Sequence, residues 1–257
     1  MAADIPALID ALEHTLRSSV EVGGTLSEAE WALPTECPGW TVQDVVSHLV
    51  GVELTLMGEP VPDHELPGGL DYLRHDTGRR LEVAVDVRRA RGGPEVLAEL
   101  RALVDRRMPQ LRALTADGAD PDLDTAIWGP RRLSQLMPTR VFDAWAHEQD
   151  IRRVTGRRGG LDSPAARVAG RFLLRVLPFA VDRAELPAGT VVRFDVAGEQ
   201  EIHETVGDGP PEVTLSTDWE TFVRLTCGRV DPGLAKVDSS GNPGHVYKVL
   251  AALAVTP

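Results

Sequence analysis

Arg140-Val-Phe-Asp-Ala-Trp-Ala-His-Glu-Gln-Asp-Ile-Arg152 is the stretch that decides how this chain is read. It lies in a longer segment, Leu133 to about Thr155, whose pattern predicts a helix, with Pro138 limiting where that helix can start. On a helix, Asp143 and His147 stand four residues apart and project from one face, within reach of a single metal ion. Asp150 follows three residues later on nearly the same side, where it can orient an imidazole. Trp145 lies between the pair in sequence but points elsewhere, and packing is its expected role, as it is for Trp31, Trp40 and Trp128.

A third donor comes from an earlier segment. Thr41 and Asp44 have capping-box spacing, with Asp in place of the usual Glu or Gln, so a helix is expected to begin at Thr41. Its apolar stripe is Val42, Val45, Val46, Leu49, Val52 and Leu56, and His48 sits beside it. Facing helices of a bundle commonly supply inward ligands to one core site. Two histidines and one carboxylate leave coordination positions open, as in catalytic rather than structural sites. Each piece alone also has a plain reading. An Asp–His pair at helical spacing is commonly a surface pair, and a mid-helix histidine is commonly a hydrogen-bonded core residue.

Further out, Asp4 can cap a helix with apolar positions Ile5, Leu8, Ile9, Leu12 and Leu16. Trp31 to Trp40 reads as a loop, broken by Pro34, Pro38 and Gly39, and Pro60 to Gly69 as another. Leu70 to Arg89 is expected to be helical with Leu73, Leu81 and Val85 inward. Pro94 opens a helix to about Thr115, and Gly118 to Pro130 reads as irregular. Five helical segments, four of them long, give a four-helix bundle with one insertion.

Composition changes after Gly156, where Gly156, Gly159, Gly160 and Pro164 form a linker-like stretch. A helix through Val168, Phe172, Leu173, Val176 and Leu177 follows. Strands are expected at 191–196, 201–206 and 212–215, and helices at 219–225 and 246–253. The expected division is therefore a helical domain over 1–157 and a small α+β domain over 163–257.

Composition narrows the function. The chain has 257 residues, 42% of them hydrophobic, enough for a proper core. A net charge of −12 argues against nucleic acid, which needs surplus Lys and Arg. Two cysteines, Cys37 and Cys227, make no disulfide framework. Met1 to Ile5 lacks a basic region followed by an apolar run, and no stretch approaches the roughly 20 apolar residues of a membrane span. A cytoplasmic protein without membrane partners is the expectation.

The segment Pro34-Thr-Glu-Cys-Pro-Gly-Trp-Thr-Val-Gln-Asp-Val-Val-Ser-His48-Leu resembles the N-terminal signature of the mycothiol-dependent maleylpyruvate isomerase family. That family belongs to the DinB-like superfamily of helical metalloproteins. The Arg140–Arg152 stretch resembles its second signature, and the two motifs lie in the expected order and separation. The last third is similar to the family's small α+β, sterol-carrier-like domain, which Gly228-Arg229 and the late Ser240-Gly-Asn fit loosely. The resemblance implies a divalent metal, usually taken as zinc, on His48, Asp143 and His147. Some members carry Glu where this chain has Asp143. It also implies mycothiol as thiol cosubstrate, and an arginine of the second domain facing the active-site cleft, for which Arg229 is the candidate catalytic residue. The other reading of Arg229 is a surface arginine after a helix C-terminus, where positive charge is favourable.

The implied chemistry is addition of a metal-bound thiolate to a small electrophilic substrate, giving isomerisation or S-transfer. Cys37, before a helix start, could be a nucleophile itself; the alternative is that it belongs to a loop setting the chain path into the His48 helix. Three rivals stand beside the enzyme reading. They are a non-haem Fe(II) oxygenase, whose ligands usually sit on a β-barrel, a non-enzymatic metal-binding stress or regulatory protein, and a small-ligand carrier.

Overall fold

The computed structural model describes residues 4–73, 75–125 and 129–255. Trp128, expected to pack, lies outside the described residues. The chain divides into two compact units, Met1–Gly159 and Gly160–Pro257.

In the first unit the helices are α1 (Ile5–Gly23), α2 (Glu28–Trp31), α3 (Val42–Leu56), α4 (Asp76–Asp86), α5 (Gly93–Leu114) and α6 (Leu133–Val154). Asp4 caps α1 by accepting from the Ala7 amide. The Thr41–Asp44 capping box forms at the start of α3 as its spacing predicts, and Pro94 lies in the first turn of α5. α1 packs on α5 and α6, while α3 packs on α4, α5 and α6. The core between them holds Ile9, Leu12, Leu16, Val45, Val46, Leu49, Leu100, Met108, Leu111, Val141 and Trp145. Burying each aliphatic side chain there contributes about 1.5–3 kcal/mol.

Four local expectations change. Trp31 closes a one-turn helix, α2, whose Ser27 and Glu30 form a second capping box. The segment expected to be helical from Leu70 is helical only as α4, because the His75 ring accepts the Gly78 amide and caps it there. Of its expected inward residues, Val85 is fully buried and Leu73 and Leu81 are partly so. The stretch read as irregular contains an antiparallel pair, β1 (Asp122–Thr125) and β2 (Gly129–Arg132), which its polar residues and Pro130 concealed. Pro138 does not delay α6, which starts five residues earlier. Asp120 supports that start by accepting from the Ser134 amide and hydroxyl.

The second unit is α7 (Pro164–Arg183), β3 (Val192–Ala197), β4 (Ile202–Val206), β5 (Val213–Asp218), α8 (Trp219–Thr226), β6 (Asp238–Ser240) and α9 (Pro243–Ala252). Strand order is β4-β3-β5-β6, with β3 and β5 parallel and the other neighbours antiparallel. Val192, Phe194 and Val196 alternate inward along β3 and meet a core with Leu215, Trp219 and Phe222. β6 is short, polar and exposed, so no period-2 signal marks it.

Candidate metal centre

The capping box places His48 in the second turn of α3, and α6 presents Asp143 and His147 on one face. The structure brings these three residues together, with one donor atom from each lying within 4.8 Å of the others. His48 Nε2 is 3.4 Å from Asp143 Oδ2, and His147 Nε2 is 3.7 Å from Asp143 Oδ1. The imidazole centroids are 4.6 Å apart. Both histidines are buried, while Asp143 is partly exposed.

Hydrogen bonding at His147 makes the cluster informative. Its Nδ1 lies 3.1 Å from Asp150 Oδ2, and the other Asp150 oxygen accepts from Arg153. A carboxylate only accepts, so Nδ1 carries a proton, and the neutral tautomer with that proton has its lone pair on Nε2. In that tautomer Nε2 lies 3.7 Å from a second carboxylate, Asp143. Two acceptors brought this close favour a cation between them, either a proton or a metal ion. Donor atoms about 2.0–2.1 Å from a tetrahedral ion stand about 3.4 Å apart, close to the separations here. The donor set therefore fits a divalent cation of the zinc type.

Electrostatics favour the ligating forms. Burial holds the His48 imidazole below its ordinary value, against the opposing pull of Asp143, so the ring is neutral at pH 7. Burial alone would raise the Asp143 carboxyl, but Arg140 and the two imidazoles together hold it well below the usual carboxylate range. Arg140 Nη1 lies 2.6 Å from Asp143 Oδ2.

Trp40 does more than pack. Its ring centroid is 4.9 Å from that of His48 and 5.6 Å from that of His147, forming an aromatic wall beside both. Trp40 Nε1 donates to Glu82, fully buried on α4, which also accepts from the Tyr72 hydroxyl and pairs with Arg89. Gly39, at φ +78°, lets the loop pass the Tyr72 ring, which a Cβ would meet at 2.4 Å.

Beneath the cluster lies a buried string of charge. Glu53, on α3, accepts from Arg140 Nε and Nη2 through Oε1 and from Arg107 Nε through Oε2. Sequence reasoning passed over Glu53, although one signal marked it. Glu53 stands four residues after Leu49, on the inward face of α3, and a carboxylate there needs a partner.

The remaining candidates lie as follows. Cys37 is buried in the loop before α3, where its carbonyl accepts the Trp40 amide and its own amide meets the Thr35 hydroxyl. Arg229 follows α8 in the second unit and is buried rather than on the surface; its Nη1 donates to the Cys227 carbonyl. Trp31 and Trp145 are buried. Among the described residues, no helix is long and apolar enough to cross a membrane.

Fold and site together define a helical bundle with a two-histidine, one-carboxylate cluster, joined to a small α+β unit. The family model described as the mycothiol maleylpyruvate isomerase N-terminal domain matches residues 12–152, and the model described as the MDMPI C-terminal domain matches residues 162–246. The chain thus belongs to the mycothiol-dependent maleylpyruvate isomerase family. Two solved structures share its fold. The mycothiol-dependent maleylpyruvate isomerase matches at 16% identity with a TM-score of 0.64, and a histidine-to-alanine variant of that enzyme matches at 16% with a TM-score of 0.60. Each match covers 92% of this chain and 92% of the other. No curated protein matches the sequence.

Proposed function

We propose that the chain is a metal-dependent enzyme that uses mycothiol as its thiol cosubstrate to isomerise or S-conjugate a small electrophile. His48, Asp143 and His147 would hold the cation, zinc by the character of its donors. The observation that carries this reading is the convergence of donor atoms from His48, Asp143 and His147 within 4.8 Å of one another, with Asp150 engaging the far nitrogen of His147. Family membership supports the thiol.

A cation bound there supplies the deprotonation of a thiol whose ordinary pKa is about 8.5. The chain's own groups prepare for this. Asp150 fixes the His147 tautomer, Arg140 holds Asp143 ionised, and Trp40 screens one side of both imidazoles from water. When the thiol sulfur adds to an activated carbon–carbon double bond, that bond becomes single and can rotate. Expelling the thiolate restores the double bond as the other isomer. If the carbanion takes a proton instead, the carbon–sulfur bond persists and the product is an S-conjugate. Both outcomes use the same thiol-activating residues and differ in the electrophile. The direct test incubates zinc-loaded protein with mycothiol and a panel of electrophiles, followed by mass spectrometry. Isomerised product or a thiol adduct supports the reading, and no product from any electrophile counts against it.

Two residues have assigned parts. Arg229 is proposed as the second unit's substrate-binding group, supported by the resemblance of Gly228-Arg229 to the family pattern and by the C-terminal family model that spans it. Arg229→Ala should raise KM for an anionic substrate about 10-fold or more, as loss of a charge-assisted hydrogen bond does, with zinc affinity unchanged. An unaltered KM would remove Arg229 from the reaction. Cys37 is assigned to the loop, since a cosubstrate thiol makes a protein thiolate redundant. Cys37→Ser should keep most of the turnover; loss of several orders of magnitude with zinc still bound would make Cys37 the nucleophile.

Against the carrier alternative, a cleft of about 800 Å³ in the second unit is lined in part by Asp195, Glu201, His203, Lys236 and Asp238, charged groups ill suited to an apolar cargo. An apolar cavity lined by Phe194, Leu215, Phe222 and Leu253 has a volume of about 10 Å³, room for no more than a water molecule.

A further inference from the structure

We propose that Glu53 is a positioning residue of the metal centre, acting through Arg140 to hold Asp143 in its ligating orientation. The inference rests on the metal reading above. Glu53 and Arg140 are each 1% exposed, and Arg107 is 4% exposed, so this string of groups is shut away from water. Glu53 Oε1 receives Arg140 Nε at 3.1 Å and Nη2 at 3.0 Å, while Oε2 receives Arg107 Nε at 3.1 Å. The remaining Arg140 nitrogen, Nη1, reaches Asp143 Oδ2 at 2.6 Å.

The guanidinium is a rigid plane with its donors in a fixed fork. Once Nε and Nη2 are seated on Glu53, the direction of Nη1 is determined, and with it the place where the Asp143 carboxylate finds its partner. Along the string the charges alternate, from Arg107 to Glu53 to Arg140 to Asp143, so each buried ion is compensated by its neighbours. The string also crosses elements. Arg107 comes from α5, Glu53 from the same helix as His48, and Arg140 from the same helix as Asp143 and His147. It therefore ties the helix bearing one ligand to the helix bearing the other two. Partners that orient a ligating carboxylate are worth about 10–100-fold in metal affinity.

A buried ion pair could serve the fold alone, so the test must read the ion as well as stability. The variant of choice is the full-length double substitution Glu53→Gln with Arg107→Gln. It removes one charge of each sign and leaves Arg140 balanced by Asp143. Zinc affinity is measured by competition with a chromophoric chelator, the metal-free melting temperature by circular dichroism, and coordination geometry by the visible d–d bands of the cobalt-loaded protein. The expected result is zinc affinity lower by about 10–100-fold, an altered cobalt spectrum, and a melting temperature close to that of the parent. Affinity within about threefold of the parent, with an unchanged cobalt spectrum, overturns the proposal. Should the double variant fail to fold, Glu53→Asp carries the same test, because it keeps the charge but is too short to seat both Arg140 and Arg107. Parent protein that binds neither zinc nor cobalt would sink the metal reading itself, a result separate from retained affinity in the variants.

Discussion

His48→Ala and His147→Ala should each release the metal and lower turnover by at least about three orders of magnitude. Either change leaves two protein donors where a tetrahedral site needs three plus an open position, and the affinity loss should exceed the roughly 100-fold that outer partners contribute. Without the ion, a thiol of pKa about 8.5 is only about 3% ionised at pH 7. Loss of positioning adds further, since well-oriented groups reach effective molarities of about 10⁵ M or more. The fold should survive, because the bundle core rests on Leu12, Leu16, Val45, Leu49, Leu100 and Met108 rather than on the imidazoles. Elemental analysis, circular dichroism and turnover measured on the same preparations separate the possibilities. Full metal occupancy in both variants would remove these histidines from the site.

Omitting mycothiol should reduce turnover to the uncatalysed rate, with activity returning in a saturable way as thiol is added. The cluster itself favours an anionic partner. With a divalent cation bound, two neutral imidazoles and one carboxylate would leave a net charge near +1, which would favour a thiolate and release of its proton. Turnover that runs equally well with and without thiol would defeat this mechanism and favour a metal-hydroxide hydrolase. Proton release on thiol binding, followed in weak buffer, checks the same point independently of the electrophile.

The parts of the fold that were legible in the sequence share a physical origin. Asp4, Thr41–Asp44 and Pro94 act on the backbone within one turn, so their effect can be read from spacing alone. Strands β3, β4 and β5 alternate apolar and polar residues because one sheet face is buried. The start of α4 depends on the His75 ring accepting a backbone amide, a role seldom expected of histidine. The β1–β2 pair is held by backbone pairing of polar residues, which leaves no hydrophobic trace. The closeness of Asp143 and His147 was legible because a helix converts a four-residue interval into proximity. That His48 joins them depends on tertiary packing; its place beside the α3 stripe made it a candidate, and the family resemblance added weight. Trp40 was read as packing because stacking on two imidazoles from a preceding loop has no local signature.

Helix α6 is engaged on several sides within fourteen residues. Arg140, Asp143 and His147 point to the cluster, while Glu148 accepts from Thr15 and Ser18 of α1 and from Arg152. Arg153 bridges Asp150 to Glu36 in the loop before α3. Residues 140–153 are thus a segment in which random substitution disturbs several neighbours at once. For anyone redesigning this scaffold, α6 is where a combinatorial library should hold its codons fixed.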